Sequence, residues 1–130
     1  MLNFCSLYSG SSGNCLFVET EKTKILVDCG TSLKKIQEGL IKIGNKIEEI
    51  DAIIVTHEHS DHVQSLGNAS KKFDIPVYTN IETLEAMPKQ KEKIEYHNQK
   101  LFEIGKEFKI GDLAINPFSI PHDAANPCRI

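Results

Sequence analysis

The chain has 130 residues, 40% of them hydrophobic and 25% charged, with a formal net charge of −3. That length suits one domain able to bury about two-thirds of its unfolded surface, and the acidic balance argues against a dominant nucleic-acid or acidic-membrane surface. No apolar run reaches the roughly 18 residues of a membrane span, the N-terminus lacks the pattern of a secretory signal, and Cys5, Cys15, Cys29 and Cys128 form no C-x-x-C pair, so we expect reduced thiols and a cytoplasmic, membrane-free protein.

In chain order, Leu2 to Tyr8 reads as a strand, followed by the turn SGSSGN and a second strand from Cys15 to Thr20. A polar turn at Glu21-Lys22-Thr23 leads to a third strand, Lys24 to Asp28, which Gly30 ends. Thr31 or Ser32 caps a helix with Leu33, Ile36, Leu40, Ile41 and Ile43 on one apolar stripe and Gly44 at its end. DAIIVT, Asp51 to Thr56, reads as a central parallel strand. A second helix starts near Ser60 and presents Val63, Leu66, Ala69 and Phe73. Ile75 to Thr79 is a strand and Ile81 to Met87 a short helix stopped by Pro88. Lys89 to Lys100 is polar and gives no element, and KEFKIGDLAINPFSI reads as a hairpin turning at Gly111-Asp112, with a bulge near Pro117. The order of strands and helices predicts an α/β domain over residues 1–130, with helices covering one face of a mixed sheet.

The chemistry concentrates in IIVTHEHSDHVQS, Ile53 to Ser65. His57 and His59 are two apart at a strand end and so point to one side; Asp61 and His62 follow where a helix begins. Imidazoles and a carboxylate at a strand-to-helix loop are ligand types for zinc and related cations, and a set without cysteine favours an open site over a closed structural one.

Thr56-His57-Glu58-His59-Ser60-Asp61-His62 resembles the T-H-x-H-x-D-H signature of the metallo-β-lactamase fold. ILVDCG, SLYSGSSGNC and PFSIPHDAANP resemble the bacterial YycJ/WalJ group, exonuclease-like relatives in the nucleolytic branch of that fold. The resemblance implies that His57, His59 and His122 hold one metal, and that Asp61 and His62 hold a second and take part in catalysis. It implies that Asp28 orients the ligand loop from behind. Ser11, Ser12 and Asn14 remain open between a plain hairpin turn and a phosphate contact. Zinc is the expected metal and manganese the second choice, and the reaction implied is hydrolysis of a phosphodiester in DNA or RNA by a metal-activated hydroxide.

The fold's later bridging carboxylate and last histidine find no match after His122, so the chain resembles the N-terminal half of an αββα sandwich. Three further expectations follow: weak or no hydrolysis by this chain, a sheet face with no partner within it, and a homodimer through that face. Two alternatives stand beside the nuclease: a thioester or lactone hydrolase of the same fold, and a non-catalytic, self-associating half-fold. Cys15 and Cys29 are expected to be small buried hydrophobes, and His97 a solvated surface residue.

Overall fold

The structure, a computed structural model, describes residues 2–11, 13–119 and 128–129. Strands β1 (Asn3–Tyr8), β2 (Cys15–Glu19) and β3 (Lys24–Val27) form an antiparallel meander. From β3 the sheet continues in parallel through β4 (Ala52–Ile54), β5 (Val77–Thr79) and β6 (Gln99–Leu101), in the order β1-β2-β3-β4-β5-β6. Each parallel step needs a crossover, and the crossovers carry α1 (Leu33–Lys42), α2 (Ser60–Val63), α3 (Leu66–Phe73), α4 (Ile81–Glu85) and α5 (Pro88–Lys93).

Alternation along the central strands separates two cores. Leu26, Ile53 and Val55 face one side, where Ile36, Leu40, Leu66, Ala69 and Leu84 from the helices cover them. Ile25, Ala52 and Ile54 face the other. That second face is not bare, as the sequence had suggested. A hairpin of β7 (Phe108–Ile110) and β8 (Leu113–Ile115) brings Ile110, Leu113 and Ile115 onto it, joined by Phe102. Phe102, Phe108 and Tyr78 stack, with ring centroids 4.9 and 5.7 Å apart. Among the described residues the face stays open toward β1, β2 and the end of β3, where Leu2 and Phe4 are exposed and Leu16 and Val27 half-buried.

Several expected elements shift for identifiable reasons. The single helix expected from Ser60 is two, α2 and α3. Continuing it would need the Asp61 and His62 carbonyls as acceptors for Ser65 and Leu66, but these accept instead from the backbone N–H of Asn14 at 2.8 Å and of Cys29 at 2.9 Å. Ser65 N–H turns away to the Cys29 carbonyl at 3.0 Å. In α1, Ser32 caps as expected, accepting from Lys35 N–H, and Ile36 and Leu40 are buried. Ile41, one residue past Leu40 and so about 100° around the helix, is 66% exposed. Pro88 does not merely stop a helix: α4 ends at Glu85, and Pro88 opens α5 at its first position. The polar stretch without an assigned element holds α5 and the edge strand β6. The turn at Gly111 has φ +57, and in place of a bulge near Pro117 the chain breaks before β9 (Phe118–Ser119), which pairs with β10 (Cys128–Arg129). Among the described residues no helix is long and apolar enough to cross a membrane.

Candidate metal centre

The buried strand β4 delivers Thr56 and His57 to the carboxyl end of the sheet, and His59 stands at the N-cap of α2. Behind them lies Asp28, just past β3, buried and with φ +67, a left-handed conformation uncommon for a residue other than glycine. Its carboxylate is the hub of the site. Oδ1 accepts from Thr56 N–H at 2.8 Å. Oδ2 accepts from the Thr56 hydroxyl at 2.6 Å and lies 2.6 Å from His62 Nδ1.

These contacts set the imidazole tautomers. The His62 Nδ1–H donates to Asp28, which leaves Nε2 as the acceptor edge of the ring. The Thr56 hydroxyl spends its only proton on Asp28, so His57 Nδ1, 3.1 Å away, donates to the Thr56 oxygen, and His57 Nε2 is likewise the acceptor edge. Burial is the largest influence on the His62 pKa and pulls it down, but the hydrogen bond to Asp28 and the charges of Asp28 and Asp61 outweigh it, and the net shift is upward.

The His57 and His62 rings are 3.7 Å apart between centroids, and His57 and His59 are 5.0 Å apart. Asp61 Oδ2 stands 3.6 Å from His62 Nε2. The structure therefore brings His57, His59, Asp61, His62 and Asp28 together at one end of the sheet. His122 and Ser12 lie outside the described residues, and among the described residues no group of three His, Cys, Asp or Glu side chains is closed around one point. The donor set nonetheless fits a cation in kind and orientation: imidazoles held from behind at Nδ1, and a carboxylate beside them. All four ligand-type side chains open on a cleft of about 680 Å³, whose other wall is the apolar strip of Leu2, Phe4, Leu16 and Val27 and the end of the hairpin at Leu113 to Asn116.

Asn14, open in sequence between a plain hairpin turn and a phosphate contact, is the last residue between β1 and β2. It is half-buried against the ligand loop, with its carboxamide nitrogen 3.0 Å from the Asp61 carbonyl and 3.2 Å from Asp61 Oδ2. Ser11 stands exposed in the turn, outside the cleft lining. Sequence reasoning gives neither Thr56 nor Gly30 a role in the site. Thr56 links Asp28 to His57, and its place in the T-H-x-H motif was the available signal. A Cβ on Gly30 would run into the Asp61 carbonyl oxygen, a close approach that no local pattern announces. Cys15 and Cys29 are buried as expected. The hydrogen bond its S–H donates to Cys15, then burial, then the charges of Cys15 and Asp28 push the Cys29 thiol well up in pKa, so it stays protonated. His97 is exposed, with Nε2 2.9 Å from Asp74 Oδ1.

The profile of the Metallo-beta-lactamase superfamily matches residues 8–128. The chain is 44% identical over 123 residues to "Exodeoxyribonuclease WalJ" of Streptococcus pneumoniae serotype 2, covering 93% of this chain and 46% of that relative. It is 42% identical over 127 residues to "Exodeoxyribonuclease YycJ" of Bacillus anthracis, covering 97% and 48%. Among solved structures, a B3 metallo-beta-lactamase with an active-site glutamic acid superposes with a TM-score of 0.79 at 16% identity, over 97% of this chain and 52% of that one. Rm3 metallo-beta-lactamase gives 0.76 at 18% identity, over the same shares. At that identity the likeness speaks for the fold, and the chain spans about half the length of the curated relatives it matches. With the family profile matching nearly end to end, and the T-H-x-H-x-D-H loop assembled on Asp28 at the carboxyl end of β4, the chain belongs to the metallo-β-lactamase superfamily.

Proposed function

We propose that the chain is the ligand-bearing half of a metal-dependent phosphodiesterase, an exonuclease acting on DNA or RNA in the cytoplasm. One observation carries the reading: His57 and His62 have their Nδ1 atoms engaged by Thr56 and Asp28, so two acceptor edges and the Asp61 carboxylate stand toward one open cleft. The names of the two exonuclease relatives supply the substrate class.

His57, His59 and His122 would hold one divalent cation and Asp61 and His62 a second, zinc first and manganese next. Such cations supply Lewis acidity at phosphorus and its oxygens. The chain's own residues do the rest. Asp28 holds the His62 ring by Nδ1 and, through Thr56, the His57 ring. The apolar wall of the cleft limits water on the side away from the ligands.

Asp61 and His62 offer the second cation only two side chains, so hydrolysis by this chain alone is proposed to be weak or absent. Its open strip at Leu2, Phe4, Leu16 and Val27 is proposed to seat a second copy, sheet on sheet. The test is hydrolysis of end-labelled single- and double-stranded DNA and RNA, with a thioester and a lactone in parallel, by the purified chain in Zn2+ or Mn2+ and in chelator. Expected is metal-dependent cleavage of nucleic acid that is faint here and lost in His59→Ala. Preferential turnover of the thioester or lactone would replace the substrate class. Robust nuclease turnover by this chain, abolished by His59→Ala, would overturn its proposed incompleteness.

A further inference from the structure

The β1–β2 turn was read from sequence as a simple connector or a phosphate contact. Its last residue also reaches the ligand loop. The Asn14 carboxamide nitrogen has two hydrogens and four acceptors in reach: the Gly10 carbonyl at 2.9 Å, the Asp61 carbonyl at 3.0 Å, Asp61 Oδ2 at 3.2 Å and His62 Nε2 at 3.3 Å. The amide oxygen accepts from Gly10 N–H at 3.2 Å. One hydrogen therefore closes the turn, and the other is shared over the corner formed by Asp61 and His62. The backbone locks the same corner, with Asn14 N–H on the Asp61 carbonyl at 2.8 Å and Gly30 N–H on the Asn14 carbonyl at 2.9 Å.

The two side-chain atoms under that shared hydrogen are the ones a second cation would use. Donor atoms of one tetrahedral cation at about 2.0–2.2 Å stand roughly 3.3–3.6 Å apart, and Asp61 Oδ2 and His62 Nε2 are separated by 3.6 Å. The corner already has a cation's bite. Free rotation of the Asp61 carboxylate would lose that spacing, and the Asn14 carboxamide nitrogen reaches both atoms. Aspartate or serine in its place could not both donate to the corner and complete the acceptor–donor pair on Gly10 with one side chain.

We propose that Asn14 is a positioning residue for the second cation, its carboxamide holding Asp61 Oδ2 and His62 Nε2 at ligand spacing from outside the coordination sphere. The proposal rests on the metal-site reading above. With a cation on His62 Nε2, the shared hydrogen would stay with the Asp61 oxygens, and the carboxylate would keep its orientation.

The test is calorimetric titration of Co2+ into the full metal-free chain, read together with the visible spectrum of the bound ion. The variants are Asn14→Ala, Asn14→Ser and Ser11→Ala. Ser11 is exposed in the same turn and outside the cleft lining, so its substitution alters the turn without removing an anchor of the Asn14 carboxamide. Expected are two cations in the wild type, with the weaker one bound about ten-fold less tightly in Asn14→Ala and its band altered. The tighter site should not change, Asn14→Ser should fall between, and Ser11→Ala should match the wild type. Unchanged uptake in Asn14→Ala overturns the proposal, as does equal loss at both sites or the same loss in Ser11→Ala. If Asn14→Ala does not fold, Asn14→Ser against Ser11→Ala makes the same comparison. No uptake by the wild type, or uptake unaltered in His57→Ala, would sink the metal reading itself and this proposal with it.

Discussion

Asp28 takes three hydrogen bonds on two oxygens while its backbone stays in the left-handed region. Asparagine tolerates that backbone, so Asp28→Asn isolates the carboxylate. The amide keeps one acceptor oxygen and turns the other position into a donor, which faces the Thr56 hydroxyl and His62 Nδ1–H. We expect metal affinity to fall by about 10–100-fold, as for other partners that orient ligating histidines. Titration of Zn2+ into the folded variant measures it, and unchanged affinity would show that Asp28 serves the backbone alone. Gly30 tests the other side of the loop. A Cβ there meets the backbone of Asp61, not a flexible side-chain end, so Gly30→Ala should destabilise the chain by about 3 kcal/mol or more. Urea denaturation would read that loss, and a variant as stable as the wild type would mean that the loop can retreat.

At the scale of elements, the β7–β8 hairpin is held to the sheet by its core side chains and by Asp112, whose Oδ1 accepts from the Thr20 hydroxyl at 2.7 Å. Hydrogen bonds from Thr23 and then Thr20 hold the Asp112 pKa below the usual carboxylate value. A depressed folded-state pKa contributes stability above the unfolded value, about 3.9, and loses it as the pH falls through the folded value. Asp112→Asn should therefore melt below the wild type at pH 7, and the two should converge as the pH drops under about 3.9. A gap that persists unchanged in acid would assign the effect to packing.

The hairpin also shows where sequence reading reached its limit. Its turn at Gly111 and the apolar spacing of Ile110, Leu113 and Ile115 were legible, because both are local. Its docking on Ile25 and Ile54 was not, since both faces of a parallel strand are apolar and a run such as Ala52 to Val55 does not say what covers each side. β6 escaped because an edge strand with Lys100 and Leu101 exposed lacks the pattern of a buried one. The break between α2 and α3 escaped because its cause, carbonyls accepting from Asn14 and Cys29, lies more than thirty residues upstream. The ligand loop was legible for the opposite reason: four chemically unusual residues sit within six positions of one strand end.

At the scale of the whole molecule, the exposed strip is small but placed beside the site. Phe4 is 64% exposed and Leu2 48%, next to half-buried Leu16 and Val27. The hairpin has already covered the rest of that face, so self-association should be weaker than a fully bare sheet would drive. We expect a dimer that forms at micromolar concentration and is lost in Phe4→Glu, which places a charge at the centre of an apolar contact. Sedimentation or light scattering across a dilution series checks it. A wild type that stays monomeric throughout would remove the proposed sheet-on-sheet contact.

The carbonyls that interrupt the helix after Val63 have a consequence in time as well as in shape. Asn14, Cys29 and Ser65 send their amides across three separate stretches of chain, to Asp61, His62 and Cys29. An excursion of the histidine loop away from the sheet would break bonds to the β1–β2 turn and to the end of β3 together. Such opening belongs to a cooperative unit rather than to a hinge. Deuterium should accordingly enter these three amides at one common rate, slower than in the exposed turns, and the ligands should behave as a rigid block on the timescale of substrate encounter.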